Sequence, residues 1–245
     1  MLLIRSIVFF LFFAINTFII AAVGFILGWF LPPMKRFIID QSWSRLNLWG
    51  LRILCNLTYR VVGEENLPEK NAIFLSKHQS AWETIALISI IPGPKVWVLK
   101  RELLFLPIFG WVFIHFKPIA INRKSGRKAV FQIINQGIQR LQSGLSVIIF
   151  PEGTRVAPGT RKRYGIGGAL LAEKSAYPVI PIAHNAGVFW KRRGIIKYPG
   201  IIDVKIGQAI RTDGLSANEI NQQVEEWIET IQSQLPLVCS TNQRK

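Results

Sequence analysis

The sequence predicts an α/β fold, a mostly parallel central sheet flanked by helices, with a hydrophobic helix or hairpin at the N-terminus that anchors the chain to a membrane. Three observations carry that expectation. From Ser6 to Met34 there is no charged residue, and this run exceeds the roughly 20 apolar residues that cross a bilayer core. Beyond it, short apolar or β-branched runs alternate with segments of helical period, as in strands joined by crossover helices. A chain of 245 residues is also long enough for one substantial core with a small appended element.

Residues 1–36 form the expected anchor. A cleaved signal peptide has an apolar region of only about 7 to 15 residues, and here no small-residue cleavage site leads into a polar mature start. Asn16-Thr17 in mid-run and Gly24 beyond it suit either a single span or a hairpin dipping into one leaflet. Residues 37–61 follow as an amphipathic segment, with Ile38, Ile39, Trp43, Leu46, Trp49, Ile53 and Leu57 at helical spacing and Arg45 and Arg52 between them. The spacing predicts a helix over Phe37 to Tyr59. Its two Trp residues suit a head-group boundary, although packing on the main domain fits the same pattern.

The turn-rich stretch Val62 to Pro68 opens the main domain, residues 62–235. Expected strands are Ala72 to Ser76, Val96 to Leu99, Pro118 to Asn122, Ser146 to Phe150, Val179 to Ala183 and Asp203 to Gly207. Expected helices are Ser80 to Ile90, Leu103 to Ile114, Lys124 to Gln142 and Ile166 to Lys174. A last helix, Ser216 to Leu235, starts with Ser216 and Glu219 in capping-box spacing and presents Ile220, Val224, Trp227, Ile228 and Ile231 on one face. Residues 236–245 read as a frayed tail.

Thirty Lys and Arg against fourteen Asp and Glu leave a net charge of +16, which calls for a polyanionic partner. The apolar N-terminus selects an anionic membrane surface over nucleic acid, and no nucleic-acid motif accompanies the charge. Arg161-Lys162-Arg163 and Lys191-Arg192-Arg193 read either as contacts to acidic head groups, at about 1 kcal/mol per basic residue, or as solvated loops. Lys35, Arg36, Arg45, Arg52 and Arg60 follow the anchor closely, so the positive-inside tendency places the main body in the cytoplasm. Cys55 and Cys239 lack metal-ligand spacing and fit a reducing compartment.

Two strings stand out as chemistry. His78-Gln79-Ser80-Ala81-Trp82-Glu83 follows a strand, where α/β proteins gather their ligands. Positions i and i+5 diverge by roughly 140° on a regular helix, so His78 and Glu83 pair only if His78 lies in the loop and Glu83 looks back from the first turn. Glu83 would then fix the His78 tautomer and leave Nε2 to take a proton. The same spacing makes Ser80 and Glu83 a capping box, and spacing alone supports both readings. His115 reads as structural and His184 as a site-wall residue.

The second string, Phe150-Pro151-Glu152-Gly153-Thr154-Arg155, ends a buried strand. Pro151 stops the pairing, Gly153 permits a tight turn and Arg155 offers a planar grip on phosphate. Glu152 either holds that Arg or orients a substrate hydroxyl, and an ordinary surface turn is the plain alternative. Lys100 and Arg123 each close an apolar run and add positive charge at strand ends.

His78 with Glu83, Lys100 to Gly110 with Arg123, Phe150 to Arg155, and Val179 to Ala183 occur in the order and approximate spacing of four blocks of the glycerolipid acyltransferases. The chain resembles that family over roughly residues 60 to 210. The resemblance implies that 62–235 is an acyltransferase domain in which His78 is the general base and Glu83 orients it. The acceptor it implies is 1-acyl-sn-glycerol 3-phosphate (lysophosphatidic acid), acylated at the sn-2 hydroxyl by a thioester of acyl carrier protein or coenzyme A to give phosphatidic acid. By similarity Arg155 contacts the acceptor phosphate, Glu152, Gly153 and Thr154 shape the turn, and Lys100 and Arg123 assist. The family's usual carboxylate is Asp where this chain has Glu83, and Asn122 stands where relatives often carry an acid.

No metal or other cofactor is expected, because a thioester is already activated. The expected location is the bacterial cytoplasmic membrane, with the catalytic domain on the cytoplasmic side and anionic lipids as partners. Rival readings are an acyltransferase for another lyso-lipid, such as lyso-ornithine lipid or another lysophospholipid, and a membrane-surface binding protein without turnover.

Overall fold

In a computed structural model, residues 1–105, 110, 116–122 and 125–238 are described. Among them a sheet runs in the order β1-β7-β6-β2-β5-β3-β4. Its strands are β1 (Leu57–Val62), β2 (Ile73–Ser76), β3 (Lys95–Lys100), β4 (Ile119–Ile121), β5 (Ser146–Ile149), β6 (Val179–His184) and β7 (Gly200–Ile206). Pairing is parallel from β6 to β4, and β7 meets β6 antiparallel with β1 parallel to β7. The expected α/β architecture with a mostly parallel sheet is therefore present.

The centre of the sheet is β2, whose burial is unbroken. Leu75 pairs with Ile149 on one side and Pro181 on the other. Strand alternation sends Ile73 and Leu75 to one face and Phe74 to the other. The first face is covered by α4 (Arg127–Gln142), α5 (Gly167–Ser175) and α7 (Ala217–Gln234), and the second by α1 (Leu2–Phe30), α2 (Phe37–Cys55) and α3 (Trp82–Ile90). A single turn, α6 (Ala186–Phe189), follows β6. Truncating a side chain as central as Leu75 to Ala costs about 2–5 kcal/mol.

The first two helices form an antiparallel hairpin. Arg5 Nε donates to the Leu54 carbonyl (2.6 Å), Phe12 lies over Gly50, Trp43 Nε1 donates to Thr17 Oγ1 (2.9 Å), and Ile39 meets Gly24. Each step back along α1 is matched by a step forward along α2. The buried side of α2 mixes Phe37, Leu51 and Cys55 with small and polar residues: Ser44 donates to the Ile85 carbonyl of α3, and Gly50 leaves room for the Phe12 ring. Ile38, Leu46, Trp49 and Ile53 of α2 point outward, as do Leu11, Ile15, Phe18, Ile19 and Ile26 of α1. The hairpin thus turns many large apolar side chains outward.

Several boundaries differ from expectation. The helix predicted over Phe37 to Tyr59, within a segment drawn as 37–61, ends at Cys55, because Asn56 adopts a left-handed conformation (φ 50°) that reverses the chain. Residues 57–62 then join β7 as an edge strand, which places this β-branched run in the main domain. Strand β7 also begins at Gly200 rather than at Asp203, and α3 begins at Trp82 rather than at Ser80. The capping box of α7 forms as its sequence predicts, with Ser216 and Glu219 bonding reciprocally. Most of the helix expected over Leu103 to Ile114, with His115, Arg123 and Cys239, lies outside the described residues.

Candidate active site

His78 sits in the loop between β2 and α3, beyond the C-terminal end of the central strand. Its Nδ1 lies 2.8 Å from Glu83 Oε1. That oxygen also accepts the backbone N–H groups of Gln79 (2.8 Å) and Ser80 (2.7 Å). The carboxylate that holds the loop amides and the imidazole partner are thus one, while α3 itself starts from Ala81 without a side-chain cap. Glu83 is the second residue of α3, and the loop curls so that His78 stands above the helix N-terminus, which removes the angular objection to an i, i+5 pair. Burial pushes the Glu83 carboxyl up, but the neighbouring imidazoles of His184 and His78 and the Ser80 N–H outweigh it and hold the group below its usual range.

The imidazole of His78 stacks on Phe150, with ring centroids 3.9 Å apart and planes 10° apart, and Phe150 in turn stacks on Trp97. With Nδ1 engaged by Glu83, Nε2 is the nitrogen that can take a proton. His78 lines a cavity of about 540 Å³ that is also bordered by Arg155, Lys100, Asp40 and Lys95. Its remaining wall is mainly apolar, built from α1 residues such as Phe13, Ile20 and Ala21 and from Ile85 and Trp97. Burial pushes the Asp40 carboxyl up to about 6 against the pull of Lys95, and pushes the Lys95 amine down to about 8.

The Phe150 to Arg155 turn is stitched to the His78 loop. Val156 N–H donates to the His78 carbonyl (2.8 Å), and Glu152 Oε2 accepts the His78 N–H (2.7 Å). These two bonds bring Arg155, adjacent to Val156, to the same cavity as the imidazole. Gly153 takes φ +67° with open space around its Cα, so the turn requires Gly for its backbone conformation rather than for room. Thr154 is half-buried on that turn.

Glu152 is placed differently from an acceptor-facing carboxylate. Its side chain is fully buried, it pairs with Lys77 Nζ at 2.8 Å, and it borders neither Arg155 nor the cavity. Burial pushes its carboxyl up, against the pull of Lys77 and of the His78 N–H. His184 is likewise no cavity wall. It is fully buried against Trp82, its Nδ1 accepts the Ala186 N–H (3.3 Å) and its Nε2 donates to the Lys77 carbonyl (2.9 Å). Burial pushes its pKa down, which suits this neutral tautomer.

Several residues of the site carried no signal by motif. Lys77 interrupts an apolar strand end, Gln79 donates to Gln232 (2.7 Å), and Arg192 Nη1 donates to the Arg155 carbonyl (3.0 Å). The polar partners on α7 are Glu225, Glu229 and Gln232, which bond Arg161, Lys77 and Gln79. Their i, i+4, i+7 spacing marks a second stripe beside the apolar one. Among the described residues no cluster of His, Cys, Asp and Glu has the makings of a metal site.

Comparison with known proteins gives four findings. A family model described as Acyltransferase matches residues 58–185. The chain is 42% identical to the 1-acyl-sn-glycerol-3-phosphate acyltransferase of Pseudomonas aeruginosa, over 92% of this chain and 89% of the relative. It is 29% identical to the protein of the same name from Limnanthes alba, over 87% of this chain and 76% of the relative. Among solved structures, the 1-acyl-sn-glycerophosphate acyltransferase PlsC of Thermotoga maritima superposes with a TM-score of 0.79, covering 95% of each chain at 20% identity, and so shares the fold.

Proposed function

The chain belongs to the acyltransferase family and is an acyl-transferring enzyme, and on that premise we propose that it acylates the sn-2 hydroxyl of 1-acyl-sn-glycerol 3-phosphate to give phosphatidic acid. The observation that carries this reading is the shared cavity: a carboxylate-oriented imidazole, an Arg on an adjoining turn and a long apolar wall meet in one space. A single-chain lipid phosphate and a fatty acyl thioester together need those three features.

In the proposed reaction His78 Nε2 takes the proton of the acceptor hydroxyl, whose oxygen attacks the thioester carbonyl. The new C–O bond forms, the C–S bond breaks, and the imidazolium returns the proton to the departing thiolate. Glu83 holds the tautomer and stabilises the imidazolium. Arg155 holds the acceptor phosphate, with Lys100 on the same cavity adding positive charge; Arg123 is assigned to this group by resemblance alone. The donor is a thioester of acyl carrier protein or coenzyme A, and its chain lies along the apolar wall formed partly by α1. A thioester is activated enough that a base and charge stabilisation suffice without a cofactor.

Membrane association follows from the exposed face of the hairpin. Helix α1 spans about 43 Å at 1.5 Å per residue, yet it packs along α2 and reaches the main domain, where Ser6 Oγ accepts the Lys197 N–H (2.9 Å). A perpendicular span would draw that polar domain into hydrocarbon, so the hairpin reads as lying along one leaflet, with the basic body on the cytoplasmic side of the bacterial inner membrane. The decisive assay crosses lysophosphatidic acid, other lysophospholipids and lyso-ornithine lipid with both thioester donors on the purified full chain. Preferential turnover of lysophosphatidic acid is expected, and faster turnover of a phosphate-free acceptor overturns the assignment.

A further inference from the structure

We propose that Lys77 is a positioning residue for the reaction: by binding Glu152 and Glu229 together behind the sheet, it holds the His78 loop to the C-terminal helix α7. The proposal rests on the reading of His78 as the base. Lys77 and His78 are consecutive in an extended segment, so their side chains leave opposite faces of the sheet. His78 goes to the cavity face with α1, α2 and α3, and Lys77 goes to the face covered by α5 and α7. Its side chain is 1% exposed. Its Nζ sits 2.8 Å from Glu152 Oε1 and 2.7 Å from Glu229 Oε1, and 5.9 Å from the centre of the Tyr164 ring. Tyr164 OH donates to the same Glu229 oxygen (2.9 Å).

The link back to the imidazole runs through Glu152. Its Oε1 meets Lys77 and its Oε2 accepts the His78 N–H (2.7 Å), so the pair spans the sheet end from one face to the other. The main chain around Lys77 is held as well: its N–H donates to the Ile182 carbonyl (2.9 Å) and its carbonyl accepts from His184. One ammonium between two carboxylates leaves the cluster with an excess negative charge. Removing Lys77 leaves the buried Glu152 facing the part-buried Glu229 without the ammonium between them, which a carboxylate escapes by protonation or by moving away. Either event loosens the acceptor that holds the His78 amide. Catalytic geometry is sensitive on this scale, since a shift of about 1 Å at the reacting group costs about 100-fold in rate.

The test compares the full chain with Lys77→Met, Glu229→Gln and His78→Ala. It measures kcat and KM for lysophosphatidic acid, thermal midpoints, and amide hydrogen exchange of the peptide 77–83. For Lys77→Met the expected result is a kcat lower by about 100-fold with KM changed by less than about threefold, and faster exchange confined to that peptide. Wild-type kcat and exchange in folded Lys77→Met overturn the proposal, as does a loss shared uniformly with the rest of the domain. If Lys77→Met does not fold, Glu229→Gln decides. It retains the Lys77–Glu152 pair but frees it from α7, and faster exchange at 77–83 with a lower kcat is expected, while wild-type values for both overturn the proposal. An inactive wild type or a fully active His78→Ala defeats the acyl-transfer mechanism instead, and the exchange data then still decide whether Lys77 holds the loop.

Discussion

One oxygen of Glu83 receives both the imidazole of His78, at 2.8 Å, and the amides of Gln79 and Ser80 in the loop that leads into helix α3. Holding a backbone donor and orienting the imidazole, which compete for Glu83 when only the spacing is considered, are therefore done by a single oxygen. Against the upward push of burial, the neighbouring imidazoles, with the Ser80 N–H, hold the carboxyl below its usual range inside the protein, and its charge orients the His78 ring.

His78→Ala should lower kcat by about 10²–10⁴-fold, the usual worth of a positioned general base, with the protein still folded. Glu83→Gln keeps the size of the side chain but removes its charge, and should lose most of the same factor. Steady-state assays on lysophosphatidic acid with circular dichroism as a folding control check both. Full activity in either variant would remove that residue from the mechanism.

Arg155→Ala should raise KM for phosphate-bearing acceptors by roughly 10- to 100-fold, matching the 1.5–3 kcal/mol of a charge-assisted hydrogen bond. Acceptors without phosphate should lose little. Equal losses on both classes would mean that Arg155 supports the turn rather than the phosphate.

The seam between α1 and α2 should be intolerant of bulk. At Gly50 an added Cβ runs into the Phe12 ring, so Gly50→Ala should destabilise the protein by about 1–3 kcal/mol through overpacking. A thermal midpoint in detergent equal to that of the wild type would show that the hairpin yields at no cost.

Filling the cavity from the hairpin side should shorten the acyl chain that is accepted. Ala21 lies on the cavity wall, and Ala21→Trp should shift donor preference toward shorter thioesters while leaving Arg155-dependent acceptor binding in place. An unchanged chain-length profile would place the acyl group elsewhere.

Asp40 predicts a pH dependence of stability. Its folded pKa, raised from 3.8 to about 6, means that the folded protein keeps a proton the unfolded chain has already released in that interval. Stability contributed by this group is therefore present below the unfolded value and declines as pH rises from about 4 to about 6. Asp40→Asn should flatten that limb of the profile of thermal midpoint against pH.

Much of this was legible from residue order. Alternating β-branched and helical segments specify the layered sheet because periods of 2 and 3.6 bury different faces. The uncharged run from Ser6 to Met34 marks α1 because such a surface has no favourable place in water. His78, Glu83 and Arg155 are visible because their spacing sits at strand ends. Tertiary structure alone decided that Leu57 to Val62 pairs with β7 and that the helix stops before it, since a strand partner 143 residues away carries no local signal. It also turned Glu152 away from Arg155 toward Lys77, and set Glu229 and Gln232 behind the site. Those are contacts between segments about 75 to 150 residues apart, made by ordinary charged and amide side chains whose partners are fixed only when the sheet ends and α7 pack together.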